Sequence, residues 1–586
     1  MNTKYLTNYS TFFYALFLTG ILFSCNSHRD IDIKKEQPQS KNTAKRSIAQ
    51  TLQEQEHLPI AERIALYRKL KKESPSAYNF ENEDEMTMYG YRHLWANKAT
   101  EALEIFKLIV EEFPNSSNPY DSLGEAYLAL GDSVRSLENY QISLALNPDN
   151  FNAEDQIDRI KYPNKKEITL AEKFSKTYTK KAYIEDLQQL GEKLLEVHPN
   201  ALKFISENDF WQTIEEKKSR IIDHTTFAQF AWYCSEIIAN VNCSHTTMGS
   251  FFLENDMLPN KLRFPIQTRL INNKLYVIDA HNSSNKIAQK DEITAINNIP
   301  ISQLISEAYK HIPSQGHIET TKRQVFNVWG AVLIPYVLNF PEQYTIQIKG
   351  KSAPIKLKTA NNIEVPFREN AIPYCGKDLC LEVDESKNTA VMTIYSFNYY
   401  PWNNLDEFTK FVDESFKKIN HKQIKNLIID LRFNGGGSPE SSIYLLKLLS
   451  KKPFSYFSKT DNSKGYGTQQ PFKNNYDGNL FFLIDGNGMS TTGHFMALAK
   501  ELELGTIIGE ELGSNHFCTA GQSVLRLKNT KLVYYVANTT SQLAETTLPD
   551  ERGILPDYTI SQNIDDYLNK EDTVKKFAFE LITKEN

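Results

Sequence analysis

The chain has 586 residues, more than one hydrophobic core can organise, so three or more domains are expected. Apolar residues make up 40% and charged residues 24%, an ordinary globular balance. The net charge is −6 and no long basic run stands out, which argues against nucleic acid as a partner.

The chain opens on a thin positive start at Lys4, followed by an apolar run from Phe12 to Phe23. A mature transmembrane helix needs about 20 residues, so this run fits a signal-peptide core instead, over 1–24. Leu22-Phe23-Ser24-Cys25 follows. It resembles the lipobox of bacterial lipoproteins, in which the cysteine is lipidated and becomes the new N-terminus. That resemblance implies a lipid anchor at Cys25 and a place in the cell envelope, facing the periplasm or the exterior. An ordinary secretory signal with a chance cysteine is the alternative. Either way the protein is expected to work outside the cytoplasm. Residues 25–57 are polar and read as a tether.

Helical periodicity begins at Ile60, Ile64, Leu66 and Leu70. Gly90 and Gly124, Ala102 and Ser136, Phe106 and Tyr140, and Pro114 and Pro148 are each 34 residues apart. That period resembles the tetratricopeptide repeat and implies paired helices over 58–160, with a surface for a protein partner. A plain helical hairpin without a partner is the alternative. Residues 165–255 read as helical and 256–365 as a small β domain, with strands at Lys274–Ile278 and Tyr344–Ile348. Within it, Lys290-Asp291-Glu292-Ile293-Thr294-Ala295-Ile296-Asn297-Asn298 is similar to the signature of PDZ-type domains, which bind an extended peptide at a sheet edge.

From about 385 to 565 strands alternate with helices, which predicts a βαβ-type sheet with active groups at strand-to-helix turns. The strands are Ala390–Phe397, Asn426–Leu431, Leu480–Ile484 and Thr506–Gly509; the helices are Leu405–Ile419, Ser438–Leu449 and Thr491–Leu502. A C-terminal helix is expected over 566–586. Cys234, Cys243, Cys375, Cys380 and Cys518 remain after the signal, an odd number that leaves at least one free thiol. Cys375 and Cys380 are close enough to bridge a turn. No pair has zinc-site spacing, and neither a metal nor a cofactor is expected.

Three segments carry chemistry. In Asn426–Gly437 an apolar strand runs through Asp430 and Arg432 into Asn434-Gly435-Gly436-Gly437, whose bare backbone lets amides approach a negative charge. In Ile484–His494 a second apolar strand ends in a glycine-rich turn that puts Ser490 at a helix start. Serine is also a favoured N-cap, so a bland reading exists. The third is Asn242-Cys243-Ser244-His245-Thr246, after a helix ending near Ala239.

The first two segments, with Ile508-Gly509-Glu510 and Gly553-Ile554-Leu555-Pro556-Asp557, resemble the tricorn and C-terminal-processing family of serine peptidases. The resemblance is good over 388–560 and loose from 165. It implies a crotonase-like spiral of ββα units and hydrolysis of peptides or unfolded proteins, with the 256–365 segment as a candidate PDZ-like insert. One style in that family uses a Ser-Lys dyad, but the corresponding position here is Asn515. The tricorn style uses Ser-His with a downstream Glu. It implies Ser490 as nucleophile, His245 as base, and Ser244 and Glu551 relaying charge to it. Asp550 is the rival carboxylate, and His494 and His516 are rival bases. The oxyanion hole is expected from the amides of Gly436 (or Gly437) and Thr491. The base is expected to titrate at roughly pH 6 to 8. The alternatives are a non-catalytic crotonase-like binder of peptides or apolar ligands, and an assembly platform.

Overall fold

The computed structural model of the protein describes residues 45–166, 168–248, 257–367, 375, 377–399, 405–457, 467–544 and 546–585. The signal segment, Cys25 and most of the tether lie outside the described residues. The chain forms two units, one from residues before 169 with Val524–Arg526, the other from the remainder.

The first unit is helical: α1 (Ile48–Gln53), α2 (Ile60–Glu73), α3 (Glu83–Trp95), α4 (Ala99–Glu112), α5 (Ser117–Ala129), α6 (Ser133–Leu146) and α7 (Phe151–Lys161). Side-chain caps start several of them, with Asn82, Asp132 and Asn150 each accepting from the amide three residues on. The tether therefore ends earlier than residue 57. Ser47 caps α1, and Ile48, Ala49 and Leu52 bury its apolar face against a core that includes Tyr67, Met86 and Phe106. The 34-residue period is a repeated contact. A Cβ on Gly90 would stand 2.4 Å from the Phe106 ring, and one on Gly124 would stand 3.1 Å from the Tyr140 ring. The small residue lets α3 approach α4, and α5 approach α6.

The second unit begins with α8 (Leu170–Ser175), α9 (Lys180–Val197), α10 (Glu207–Arg220) and α11 (Phe227–Ala239). An antiparallel sheet follows, of β1 (Gln267–Ile271), β2 (Lys274–Asp279), β3 (Glu292–Ile296), β4 (Ile299–Pro300), β5 (Thr345–Ile348) and β6 (Ile355–Lys356). Its order is β1-β2-β3-β5-β6 with β4 on β3, and α12 (Ile301–Tyr309) and α13 (Glu319–Val337) pack with it. Cys375 and Cys380 form a disulfide, as their spacing allowed.

The C-terminal part is built on a second sheet: β7 (Leu379–Asp384), β8 (Thr389–Ile394), β9 (Asn426–Asp430), β10 (Asn479–Ile484), β11 (Thr506–Gly509) and β12 (Tyr558–Thr559). The order is β12-β11-β10-β9-β8-β7, parallel throughout except for the antiparallel edge β7. Between the strands run α14 (Asp406–His421), α15 (Pro439–Leu449) and α16 (Thr491–Glu501); α17 (Ile564–Asn569) and α18 (Thr573–Glu585) close the chain. The central strands are apolar through their middles, at Ala390–Met392, Leu427–Ile429 and Leu480–Ile484, because both faces are covered. Met392, Ile429 and Phe482 pack into the core shared with α14, α15 and α16, whereas Val391, Ile428 and Phe481 meet Val574, Ala578 and Ile582 of α18. The expected single C-terminal helix is broken in two. Lys570 adopts a left-handed conformation (φ 60°), and the Asp572 carboxylate restarts the helix by accepting from the Lys575 amide at 2.9 Å.

Asp572 also reaches the active-site end of the sheet. The buried Arg432 guanidinium is gripped from two sides, by Asp430 at 2.9 and 2.6 Å and by Asp572 at 2.8 and 2.7 Å. These paired carboxylates hold the guanidinium's charge in place despite burial, and they tie α18 to the end of β9. Arg432→Leu strands two buried carboxylates and is expected to destabilise the protein by roughly 3–5 kcal/mol. Asp572→Asn, which keeps the cap, is expected to cost less. Urea unfolding of the three proteins gives the ranking; equal midpoints for wild type and Arg432→Leu would reject it.

Candidate active site

Two parallel strands deliver the chemistry at their C-terminal ends. After β9 the chain passes Phe433, forced to positive φ (65°), into Asn434 and the three glycines. After β10 it passes Asp485, whose buried carboxylate accepts from the amides of Phe433 (3.1 Å) and Asn487 (3.0 Å). Asn434, fully buried, joins the turns. Its Nδ2 donates to the Ile394 carbonyl at 2.9 Å, and its Oδ1 accepts from the Gly436 amide and the Thr492 hydroxyl, each at 2.9 Å. Its carbonyl accepts from the Met489 amide at 3.1 Å. Gly436 (φ 94°) lies directly against the second turn, where a Cβ would stand 2.6 Å from the Met489 oxygen and 2.8 Å from Ser490 Cβ.

Ser490 sits at φ 54° and ψ −123°, far from the extended conformation of an ordinary N-cap, and its side chain makes no capping hydrogen bond. The bland reading of this serine is thereby set aside. A strained backbone on a sharp strand-to-helix turn presents a hydroxyl outward, as nucleophile turns do. The Gly436 amide is spent on Asn434, so it does not serve the expected oxyanion hole. Among the described residues no acceptor takes the amides of Gly437 or Thr491. The Thr491 hydroxyl donates to the Gly437 carbonyl at 2.6 Å and keeps these two together.

His245 arrives on the loop after α11, which is woven into the C-terminal part. Thr247 pairs with Tyr535, Thr246 Oγ1 accepts from the Ala537 amide at 3.0 Å, and Gln522 donates to the His245 carbonyl at 2.6 Å. His245 Nδ1 lies 3.4 Å from Ser244 Oγ and 3.6 Å from Cys518 Sγ. The Cys518 thiol in turn lies beside the Ser490 side chain. Ser490 and His245 thus converge on Cys518 and share no direct hydrogen bond. Cys518 was not read as a site residue, because a lone buried thiol reads as a small apolar side chain. His198 was missed too. It is buried close to His245, with Nδ1 accepting from the Asn200 amide at 3.1 Å and Nε2 unpaired.

The other expected residues are placed differently. Glu551 is exposed, lines a cleft of about 580 Å³ with Lys203, Phe204 and His317, and makes no side-chain hydrogen bond or ion pair to Ser244 or His245. The Glu551–Ser244–His245 relay is therefore not formed. Its backbone is what the fold uses: its carbonyl accepts from the His317 amide at 2.9 Å. Asp550 lies 2.9 Å from His516 Nε2 and 2.5 Å from Lys203 Nζ, so it and His516 occupy each other. His494 is buried against the rings of Tyr456 and Phe457, with the Ser541 backbone beside its ring. Asn515, where a lysine base would stand, is a strut. Its Nδ2 donates to the carbonyls of Asp550 (2.6 Å) and Arg552 (2.8 Å), and its Oδ1 accepts from the Phe517 amide (2.9 Å).

Burial sets the electrostatics. Desolvation brings His245 and His198 down to about 4 and His494 to about 3, and it lowers His516 against the opposing pull of Asp550. Burial likewise pushes the Cys518 thiol up, so it stays protonated. The imidazoles around Ser490 are therefore held in their neutral form.

A serine held on a strained turn between two helix-opening glycine-rich loops, with a neutral imidazole nearby, defines a serine-type peptidase. Residues 388–560 match the model of peptidase family S41. No curated protein matches the chain. Among solved structures it is similar to mature CPAF, at 14% identity over 69% of this chain and 98% of that one, with a TM-score of 0.45. The photosystem II D1 C-terminal processing protease is 11% identical over 65% and 93%, with a TM-score of 0.33. The tricorn protease is 14% identical over 69% and 37%, with a TM-score of 0.30.

Two outcomes follow from this geometry. Asn434→Ala leaves the Gly436 amide buried without its acceptor and is expected to cost about 1–3 kcal/mol. Because both turns shift, kcat should fall more than KM rises; a variant with wild-type kcat would show that Asn434 does not position them. The second concerns acid. An unfolded histidine takes its proton near pH 6.5, whereas His245 and His198 resist until about 4. Between those values the unfolded chain binds more protons, so stability is full above pH 6.5 and declines as pH falls toward 4. Thermal midpoints measured from pH 8 to 4 check this.

Proposed function

We propose that the chain hydrolyses peptide bonds by attack of Ser490, with His245 as general base and the amides of Gly437 and Thr491 receiving the oxyanion. One observation carries this reading: the Ser490 hydroxyl is released from capping by a strained turn that is buttressed on Gly436. In the resting arrangement Cys518 stands between serine and imidazole, and a small rotation of the imidazole past the thiol brings it to Ser490. Catalytic hydrogen bonds often tighten only when substrate binds. Ser244, 3.4 Å from Nδ1, orients the ring. Glu551, exposed and apart from His245, is left out of the proton relay and faces the cleft, where it would meet substrate.

The remaining proposals concern the setting. The peptidase part is a crotonase-like ββα spiral, supported by the β8–α14–β9–α15 and β10–α16–β11 succession. The antiparallel sheet with α12 and α13 is a PDZ-like module offering an edge to an extended peptide. The Gly90–Phe106 and Gly124–Tyr140 contacts support tetratricopeptide-like repeats that receive a protein partner. Export and lipidation at Cys25 rest on the N-terminal sequence alone. Among the described residues no helix is long and apolar enough to cross a membrane.

A fluorophosphonate probe is expected to label wild type at Ser490 and to leave Ser490→Ala unlabelled. His245→Ala should lose nearly as much peptidase activity as Ser490→Ala, and the double variant should be barely worse than either. Only neutral imidazole accepts a proton, so kcat/KM should rise with pH through an apparent pKa near 4, not through the roughly 6 to 8 expected of an imidazole backed by a carboxylate. Full activity in His245→Ala would remove His245 from the mechanism.

A further inference from the structure

Away from Ser490, the crossing of α11 and α12 carries a second cluster. Glu236 lies near the end of α11; Glu307 lies on α12 and His311 one turn further on. The buried His311 ring stacks flat on Trp232, with centroids 3.4 Å apart and an 11° interplanar angle. Its Nδ1 is 3.0 Å from the Trp232 carbonyl and 2.9 Å from Ser235 Oγ. The Ser235 hydroxyl itself donates to that carbonyl at 2.7 Å. Both neighbours of Nδ1 are therefore acceptors, so Nδ1 carries the ring proton and Nε2 keeps its lone pair. Nε2 is buried, receives no hydrogen bond, and faces Glu236 Oε2 at 3.5 Å.

The oxygen that faces this lone pair, Glu236 Oε2, is already met by the Lys217 ammonium at 2.6 Å, so the point between helices draws a cation. One ligand atom each from Glu236, Glu307 and His311 lies within 4.8 Å of the others. One imidazole and two carboxylates suit zinc or a similar first-row divalent ion. A ligand histidine typically donates its other nitrogen to a carbonyl, and here Trp232 is in place to accept it. We propose that Glu236, Glu307 and His311 bind one divalent transition-metal ion that pins α11 to α12. Two lysines already answer the carboxylates: Lys217 is 2.6 Å from Glu236 and Lys310 is 2.7 Å from Glu307. The ion takes over their role. Lys310 is solvent-exposed and free to swing away, and Lys217 has Glu216 as a second partner at 3.6 Å. The bound ion braces α11, the helix from whose end the His245 loop departs.

Zinc titration of the chelator-treated full chain by calorimetry tests this. One equivalent is expected in wild type and in Ser490→Ala, and that equivalent is expected to be lost in Glu307→Gln and in His311→Gln. Glu307 is partly exposed, so its variant should fold. Zinc is also expected to raise the thermal midpoint of wild type and to leave that of Glu307→Gln unmoved. Equal zinc binding in wild type and Glu307→Gln, or no binding in wild type, would overturn the site and leave His311 as a packed histidine.

Discussion

The peptidase geometry hangs on the side chain of Asn434. An amide side chain has one acceptor and one donor group, and here both are used, on three different pieces of the fold. It holds the glycine turn to β8, fixes the peptide of Gly436 and reaches into α16 through Thr492. Because it is buried, each bond it fails to make has a desolvation cost, which gives the two turns one favoured register. Arg432, two residues earlier, does the same for the approach to that turn from α18. The strain at Ser490 persists because this frame surrounds it.

The second constraint is desolvation of the histidines. His198, His245 and His494 sit together with the Cys518 thiol, and burial keeps every imidazole neutral. A carboxylate buried beside them would favour the charged imidazole and raise its basicity. The fold instead keeps Asp550 on His516 and Lys203, and sends Glu551 to the cleft. In the proposed mechanism, proton acceptance by His245 is thus available over a wide pH range but is driven less strongly than in a carboxylate-backed pair. Asn515 explains how that loop is held. The position that carries a base in the dyad style carries here a strut for the carbonyls of Asp550 and Arg552.

Much of the frame was legible in the sequence. The alternation of apolar strands and amphipathic helices between 385 and 565 matches the observed elements to within a few residues, because periodicity is a local property. The two glycine-rich turns were legible for a related reason. Gly436 is demanded by a positive φ and by contact with Ser490, so the backbone itself dictates the residue type. The 34-residue period likewise marked the points where helices touch. The tether was read too long because Ile48 and Leu52 are only two apolar residues, and their partners are Tyr67, Met86 and Phe106 further along the chain.

What the sequence by itself determined is where the chain turns, which strands are buried on both faces, and that a serine stands on the turn after β10. Those facts follow from backbone sterics and hydrophobic alternation within a few residues. Only the tertiary structure decided which groups meet that serine. Cys518 and His245 come from strands and loops far apart in the chain, and nothing local distinguishes the thiol that reaches Ser490 from the buried Cys234. The same holds for Glu551 and Asp550, neighbours of one charge whose side chains part because Asn515 grips the backbone on either side. Proximity across such separations is set by packing, and packing is a property of the whole domain.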